Sequence, residues 1–91
     1  MRIGSAQSIG RAVRYHRRRS GLSQRGLADL AGIGKTSVFD IEKGKATVRL
    51  ATLMAVLRVL NIELELAGPL VAEFNAHENG GARPLRARGS A

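Results

Sequence analysis

Short apolar segments bounded by glycines are the feature that most constrains the fold of this chain. Ser23 is suited to cap the first segment and Gly32 to end it. One face of this segment carries Leu27, Ala28, Leu30 and Ala31. The second segment, residues 34–44, begins and ends at a glycine and places Val38 and Ile41 on its inward face. The pattern predicts two short helices joined by a tight turn, which is a helix-turn-helix motif.

Two further helices are predicted on either side of this motif. Ser8 is suited to cap the first, which would end near residues 20–21. Its inward positions are expected at Ile9, Ala12, Val13 and His16. Thr47 is suited to cap the last helix, which runs to about Leu60 and is apolar on nearly all sides. Such a helix must be covered on nearly all sides, and three short helices leave part of it open.

Residues 62–66 change the hydrophobic period from that of a helix to that of a strand. Ile62, Leu64 and Leu66 alternate with two glutamates, as in a half-buried strand. A lone strand leaves its backbone groups unpaired, so we expect it to pair with the same strand of a second chain. The residues expected to form this homodimer contact are Leu57, Leu60, Ile62, Leu64 and Leu66.

The chain divides into a domain at residues 1–67 and a C-terminal tail at residues 68–91. The tail is expected to form one short helical turn within residues 70–78, using Leu70, Val71 and Phe74, and to be disordered over residues 79–91. Two interpretations remain for its end. It is either a frayed terminus or a flexible arm that contacts DNA or a partner through Arg83, Arg86 and Arg88.

The charge distribution favours a polyanionic partner. The 91 residues carry a net charge of +8, and residues 1–50 alone hold eleven basic and three acidic residues. This asymmetry is typical of a nucleic-acid-binding surface, although a basic run such as residues 17–19 also occurs on solvated helices. The chain has no cysteine and only two histidines, so we expect no disulfide, metal or cofactor. No apolar run is long enough for a membrane span, which predicts a cytoplasmic protein.

The sequence GIGKTS at residues 32–37 is similar to the end of a nucleotide-binding P-loop, but the pattern is incomplete. Asp29 occupies the position of the first glycine, where a carboxylate would repel a phosphate. The preceding residues 11–20 are basic rather than strand-forming. ATP binding is therefore not expected, and because no paired acid and base residues are visible we do not expect an enzyme.

Residues 9–66, which include GLSQRGLADLAGIGKTSVFDIEKGKATVRLATLMAVLRVLNIELEL, resemble the Cro/repressor-type (XRE) helix-turn-helix family. The Thr-Val-Arg-Leu segment and the Leu-Glu-Leu strand resemble more narrowly the HipB-type antitoxins. The resemblance implies an all-α, lambda-repressor-like domain of four to five short helices, with a C-terminal β-strand paired across a dimer. It also implies a repressor whose third helix enters the major groove of double-stranded DNA and whose dimer reads an inverted-repeat operator. A HipA-like serine/threonine kinase toxin is an implied partner, with the pair regulating its own operon.

The resemblance directs attention to the exposed side of the second and third helices. The DNA-binding candidates are Gln24, Lys35, Thr36, Ser37, Phe39, Asp40, Lys43 and Lys45. By family position, Gln24 would meet a DNA phosphate at the start of the second helix. The base-reading candidates are Lys35, Thr36, Ser37 and Asp40. Asp40 could accept a hydrogen bond from a cytosine amino group, but phosphates would repel its carboxylate. Phe39 would contact a thymine methyl group or pack against the first helix, and Lys43 and Lys45 would hold phosphates.

Two charged residues occupy positions that pair in similar repressors. Arg17 and Glu42 are expected either to form a simple ion pair between helices or to orient a phosphate-contacting helix. A different class of function is also open from the sequence. The chain would then be a protein-interaction module that keeps the helix-turn-helix fold without specific DNA binding.

Overall fold

The computed structural model describes residues 4–79, which form five helices and, within that range, no strand. The helices are α1 (Ala6–Arg19), α2 (Gln24–Ala31), α3 (Lys35–Lys43), α4 (Leu50–Val59) and α5 (Val71–Asn79). The predicted all-α fold is confirmed. Residues 80–91, with the three arginines of the predicted arm, lie outside the described residues.

The start of α1 differs from the sequence prediction. Ser5, not Ser8, is the N-cap, and its side-chain oxygen accepts a hydrogen bond from the Ser8 backbone N–H at 3.2 Å. The predicted inward position of His16 is also wrong, because its ring is exposed and lies 2.7 Å from the Ala12 carbonyl oxygen. Arg17 takes the buried position on this side of the helix instead.

The helix-turn-helix of α2 and α3 follows the sequence closely. The Ser23 side chain caps α2 by accepting a hydrogen bond from the Gly26 N–H at 2.9 Å. Gly32 ends α2 with φ of 72°, and Gly44 ends α3 with φ of 82°. Both values lie in the left-handed region, which glycine adopts with little strain. Gly34 is the N-cap of α3, as predicted.

The N-terminus of α4 lies two residues later than predicted. Arg49 occupies the N-cap position without a side-chain capping bond, so the expected capping role of Thr47 is wrong. The predicted end is confirmed, since Leu60 is the C-cap. Leu57 and Leu60 are 3% and 9% exposed and belong to the core of the single chain.

Helices α1 to α4 enclose one hydrophobic core. Each of them contributes one fully buried side chain: Val13, Leu27, Val38 and Val56. Helix α3 packs against α1, α2 and α4, and α2 also packs against α4. Burying each large apolar side chain stabilises the fold by about 1.5–3 kcal/mol. The core therefore holds α3 from three sides and fixes the direction in which its outer side chains point.

The chain after α4 has no regular secondary structure over residues 62–67 and then forms α5. Asn61 has φ of 58°, and the Ile62 N–H donates to the Leu57 carbonyl oxygen at 2.9 Å, which closes α4. Ile62 and Leu64 pack against the core, whereas Leu66 is 65% exposed. The strand over residues 62–66 stays a prediction, because a strand requires a hydrogen-bonded neighbour from another segment.

Helix α5 is longer than the short helical turn expected in the tail. It spans nine residues but contributes none of the core residues found within residues 4–79. An open apolar cleft of about 430 Å³ lies where residues 66–70 meet the start of α5. Its lining residues are Leu66, Gly68, Pro69, Leu70, Val71 and Phe74.

None of the helices within the described range is long and apolar enough to cross a membrane.

Candidate nucleic-acid interface

A buried ion pair joins α1 to α3. The Arg17 Nε donates to Glu42 Oε2 at 2.6 Å, and its Nη2 donates to Oε1 at 3.1 Å. The two side chains are only 10% and 5% exposed. A bidentate guanidinium–carboxylate contact fixes both the distance and the relative orientation of the two helices. Arg17 also donates through Nη1 to the Leu22 carbonyl oxygen at 2.8 Å, which ties the loop before α2 to α1.

The same carboxylate positions Gln24 at the N-terminus of α2. The Gln24 Nε2 donates to Glu42 Oε1 at 3.2 Å, so the side chain is held against the C-terminal part of α3. Arg17 and Glu42 thus form an ion pair between helices, while the orientation of a phosphate-contacting helix stays a prediction. The pair stabilises the packing of two helices and also orients the Gln24 side chain, which is half-buried.

A glycine inside α1 allows the two helices to approach closely. A Cβ atom on Gly10 would overlap the Ile41 carbonyl oxygen and would lie 2.8 Å from the Glu42 carbonyl oxygen. Only glycine fits this contact, and the contact brings Arg17 opposite its carboxylate partner. The sequence pattern did not single out Gly10. The available signal was a glycine in the interior of a helix, where it costs about 1 kcal/mol relative to alanine unless packing requires it.

Helix α3 has a buried side and an exposed side. Val38 and Ile41 are 0% and 3% exposed and face the core. The predicted base-reading residues lie elsewhere on the helix: Lys35 and Thr36 are exposed, and Ser37 and Asp40 are half-buried. The structure thus brings these four side chains to the surface of one helix that is anchored from behind.

Phe39 lies on the surface beside Lys43. Its side chain is 46% exposed and is absent from the residues that pack on the core. The Lys43 Nζ lies 5.3 Å from the centre of the Phe39 ring, a cation–π distance. The ring therefore supports a cation at the C-terminal end of α3 and remains open to solvent.

Asp40 is paired with a cation from the loop after α3. The Lys45 Nζ lies 3.6 Å from Asp40 Oδ2, and the carboxylate side chain is 27% exposed. The Lys45 N–H also donates to the Asp40 carbonyl oxygen at 3.0 Å, in the turn that Gly44 makes. The pair partly offsets the repulsion that an isolated carboxylate would exert on phosphates. A helix that ends at a left-handed glycine returns the following residue over its last turn, so this contact had a signal in the sequence.

A cleft beside α3 adds residues that the sequence pattern did not indicate. It has a volume of about 270 Å³ and lies between α3 and the start of α4. The polar and charged side chains that line it are Ser37, Asp40, Lys45, Thr47, Arg49 and Thr52. Thr47 and Arg49 were not recognised because the loop geometry that brings them beside α3 depends on where α4 begins.

The side chains on the exposed side of α3 are better suited to bind a polyanion than a metal ion. Among residues 4–79, no cluster of three or more His, Cys, Asp or Glu side chains is placed to hold a metal. Cations stand at the start of α3 and after its end, at Lys35, Lys43 and Lys45. The hydroxyl groups of Thr36 and Ser37 lie between Lys35 and Lys43 along the helix. Such a surface can donate to phosphate oxygens at its edges and to polar groups at its centre.

The chain matches the family described as Helix-turn-helix over residues 13–66. It is also similar to the Uncharacterized HTH-type transcriptional regulator y4mF of Sinorhizobium fredii (strain NBRC 101917 / NGR234). The two are 34% identical over 68 residues, which cover 75% of this chain and 90% of that protein.

Two solved structures share the fold of this chain over the part that they match. One is described as the structure of a HipA-HipB-O2-O3 complex and the other as a HipB-O4 20mer complex. Each superposes with a TM-score of 0.70 at 24% identity, over 75% of this chain and 96% of the matched chain. At this level of identity the likeness establishes the fold.

Proposed function

Because this chain belongs to the helix-turn-helix family of transcriptional regulators, we propose that it binds double-stranded DNA as a sequence-specific repressor. The exposed side of α3 is the observation that carries the proposal. This side is held in place by the core and by the Arg17–Glu42 pair, and it presents polar side chains to solvent. In repressors of this architecture such a helix lies in the major groove.

The proposed contacts divide into two classes. Lys35, Thr36 and Ser37 read base edges, where a lysine donates to guanine and the hydroxyl groups adapt to several bases. Phe39 supplies an apolar contact to a thymine methyl group, and Asp40 accepts from a cytosine amino group. The phosphate contacts come from Gln24, Lys43 and Lys45, at the edges of the same surface. They position the domain on the duplex without reading its sequence.

The proposal includes a homodimer. Residues 62–66 follow α4 without regular secondary structure, and Leu66 is exposed whereas Ile62 and Leu64 pack on the core. Pairing of this segment with its copy would add backbone hydrogen bonds between the two chains and cover Leu66. Leu57 and Leu60 would support the contact from beneath, since both are buried in the single chain. A two-fold dimer would present two α3 helices to the two halves of an inverted repeat.

We further propose that the protein is the antitoxin of a HipA/HipB-like pair and represses its own operon. The fold shared with HipB chains supports this proposal, together with the resemblance in the Thr-Val-Arg-Leu and Leu-Glu-Leu segments. Co-purification with the product of an adjacent kinase-like reading frame tests it. Failure to bind that product would contradict the antitoxin role and leave the DNA proposal standing.

Binding to duplexes tests the DNA proposal directly. A labelled duplex from upstream of the gene is compared with a scrambled duplex between 50 and 200 mM salt. We expect a preference of about 10³ or more for the native sequence, and a loss of about 10³–10⁵ in affinity across the salt range. Equal, weak binding to both duplexes would instead favour the protein-interaction module.

Substitution of the reading helix locates the contact. Lys35→Ala with Thr36→Ala should lower the preference about tenfold or more, because a good base contact contributes ~1–3 kcal/mol of discrimination. The matched control is Arg58→Ala, which removes an exposed cation from the last turn of α4. An unchanged preference in the α3 variant, with the fold intact by circular dichroism, would contradict the assigned reading role.

A further inference from the structure

The outward side of α1 carries three cations around one tyrosine. Arg11, Tyr15, Arg18 and Arg19 are all exposed, and Tyr15 is 62% exposed. Residues three and four apart are neighbours on a helix, so Tyr15 lies next to each of the three arginines. These four residues are called the α1 outer face below.

The arginines of the α1 outer face lack acidic partners. No acidic residue precedes Asp29 in the chain, and within residues 4–79 no carboxylate forms an ion pair with any of the three. Arg11 donates to the Ser8 hydroxyl oxygen at 3.2 Å, and the Tyr15 ring contacts His16 edge-on at 5.7 Å. Arg17, on the same helix, is fully engaged by Glu42. The charges of the α1 outer face therefore remain available to a partner.

Tyr15 and Arg19 of the α1 outer face are turned away from the packing contact with α3. Gly10 and Arg17 mark the side of α1 that meets α3. With about 100° of rotation per residue, Tyr15 and Arg19 lie about 140–180° from Gly10 around the helix. A duplex seated on the exposed side of α3 is not expected to reach these two side chains. Arg11 and Arg18, about 80–100° from Gly10, flank these two residues, so the α1 outer face can accept a ligand other than the DNA held by α3.

We propose that the α1 outer face binds an acidic segment of a partner protein. Guanidinium groups pair with carboxylates in bidentate geometry, and arginine and tyrosine are the residue types most enriched at the energetic centres of protein interfaces. A single tyrosine offers no stacking platform for successive bases of a single strand. The residue types on this face thus favour carboxylates over single-stranded nucleic acid.

The spacing of the arginines specifies the acidic segment. Arg11 and Arg18 are seven residues apart, which is about 10 Å along the helix axis. An extended chain covers this distance in three residues at about 3.3 Å each. Because side chains that share one face of an extended chain are two or four residues apart, the matching segment carries carboxylates four residues apart, with an apolar side chain midway between them to cover the Tyr15 ring. This inference does not depend on DNA binding.

Titration of the full chain with a defined acidic peptide tests the inference. The probe is a fluorescein-labelled twelve-residue peptide that repeats the sequence Glu-Leu-Leu-Asp, and its affinity is measured by fluorescence anisotropy. Arg11→Glu with Arg18→Glu should weaken binding about tenfold or more, since like charges now face the peptide. The matched control, Arg25→Glu with Arg58→Glu, changes the net charge equally at two exposed positions and should weaken binding less than about threefold.

Tyr15 separates a shaped contact from simple charge attraction. Tyr15→Ala leaves the net charge unchanged and should weaken peptide binding about three- to tenfold, whereas Tyr15→Phe keeps most of the affinity. In nitrogen-15 spectra of the wild-type chain, the peptide should shift the amide signals of α1 and leave those of α3 in place. Circular dichroism melts establish that each variant is folded.

Three results would overturn the inference. The first is an equal loss in the α1 variant and its control, which would mean that only net charge matters. The second is the absence of peptide binding by the wild-type chain. The third is a loss of duplex affinity in the Arg11→Glu, Arg18→Glu variant without a loss of peptide affinity, which would assign the face to the DNA backbone. Failure of specific duplex binding alone would sink the repressor proposal and leave this inference intact.

Discussion

Helices α1 to α4 and the segment after them solve the burial of apolar residues in opposite ways. In the first region each helix contributes a fully buried side chain, and the buried cation is paired with a buried carboxylate. In the second, Leu66, Leu70 and Phe74 are 65%, 67% and 41% exposed around an open cleft. The first region is complete within one chain. The second region leaves an apolar surface exposed, which is typical of surfaces that contact a partner.

The largest effect is expected at the ion pair that joins α1 to α3. Glu42→Ala leaves Arg17 buried without a partner and should lower the free energy of unfolding by about 3–5 kcal/mol. Asp40→Ala is the matched control on the same helix, because it removes a partly exposed pair and should cost about 0–1 kcal/mol. Urea denaturation measures both. A loss below about 1 kcal/mol for Glu42→Ala would mean that the stability of helices α1 to α4 does not depend on this pair.

The core itself should be nearly as sensitive. Leu27→Ala removes a fully buried side chain and should lower the free energy of unfolding by about 2–5 kcal/mol. Leu30→Ala on the same helix and Leu70→Ala beyond α4 remove side chains that are 63% and 67% exposed. Each of these two should change stability by less than about 0.5 kcal/mol. Comparable losses at all three positions, measured by urea denaturation, would erase the distinction between the regions.

A smaller effect, decided by its sign, is expected at the glycine between α1 and α3. Alanine in place of glycine inside a helix normally stabilises it by about 1 kcal/mol. Gly10→Ala should instead destabilise the chain by about 1–3 kcal/mol, because the added Cβ overlaps backbone oxygens of α3. At Gly26 the added Cβ meets the Ser23 side-chain oxygen at 3.2 Å, so Gly26→Ala should stay within about 0.5 kcal/mol of the wild type. Thermal melts compare the two, and a stabilised Gly10→Ala variant would refute the close packing.

The smallest effect on folding is expected in the segment after α4. There the informative measurement is the dimerisation of the chain. Leu66→Asp should change the unfolding free energy of the single chain by less than about 0.5 kcal/mol. It should weaken dimerisation about tenfold or more, because a charge would face the apolar side of the paired strands. Ala67→Asp is the control, since residue 67 directly follows the proposed strand and continued alternation would place it on the opposite face. Sedimentation at several protein concentrations reads both, and equal weakening by the two substitutions would contradict the proposed strand register.

The contrast between the regions also explains which features could be predicted from the sequence. The Ser23 cap and the glycines that end α2 and α3 act within a few residues, so their pattern was sufficient. Ser5 and Ser8 are three residues apart and are chemically equivalent caps. The choice between them depends on packing, since a Cβ on Gly44 would lie 2.8 Å from Gln7 Cγ, in the first turn of α1. No local pattern contains that contact.

The candidate interface divides along the same line. The outward residues of α3 follow from the helical period, because Val38 and Ile41 fix which side is buried. The cleft that includes Arg49 and Thr52 depends on the path of the loop between α3 and α4, and it was not foreseen. The network around Glu42 draws on three elements of the chain. Only the family resemblance suggested its central pair, and nothing in the sequence indicated that Gln24 would join it.

The missing side chain at Gly10 has a consequence for the motions of the domain. Helices in direct backbone contact have no flexible side chains between them to absorb a relative displacement. Backbone amides in the middle of α1 and of α3 are therefore expected to exchange their hydrogens with solvent through the same opening event. Helix α3 is then expected to show no independent local unfolding. Any partner that holds α1 closed would slow hydrogen exchange in α3 by the same factor.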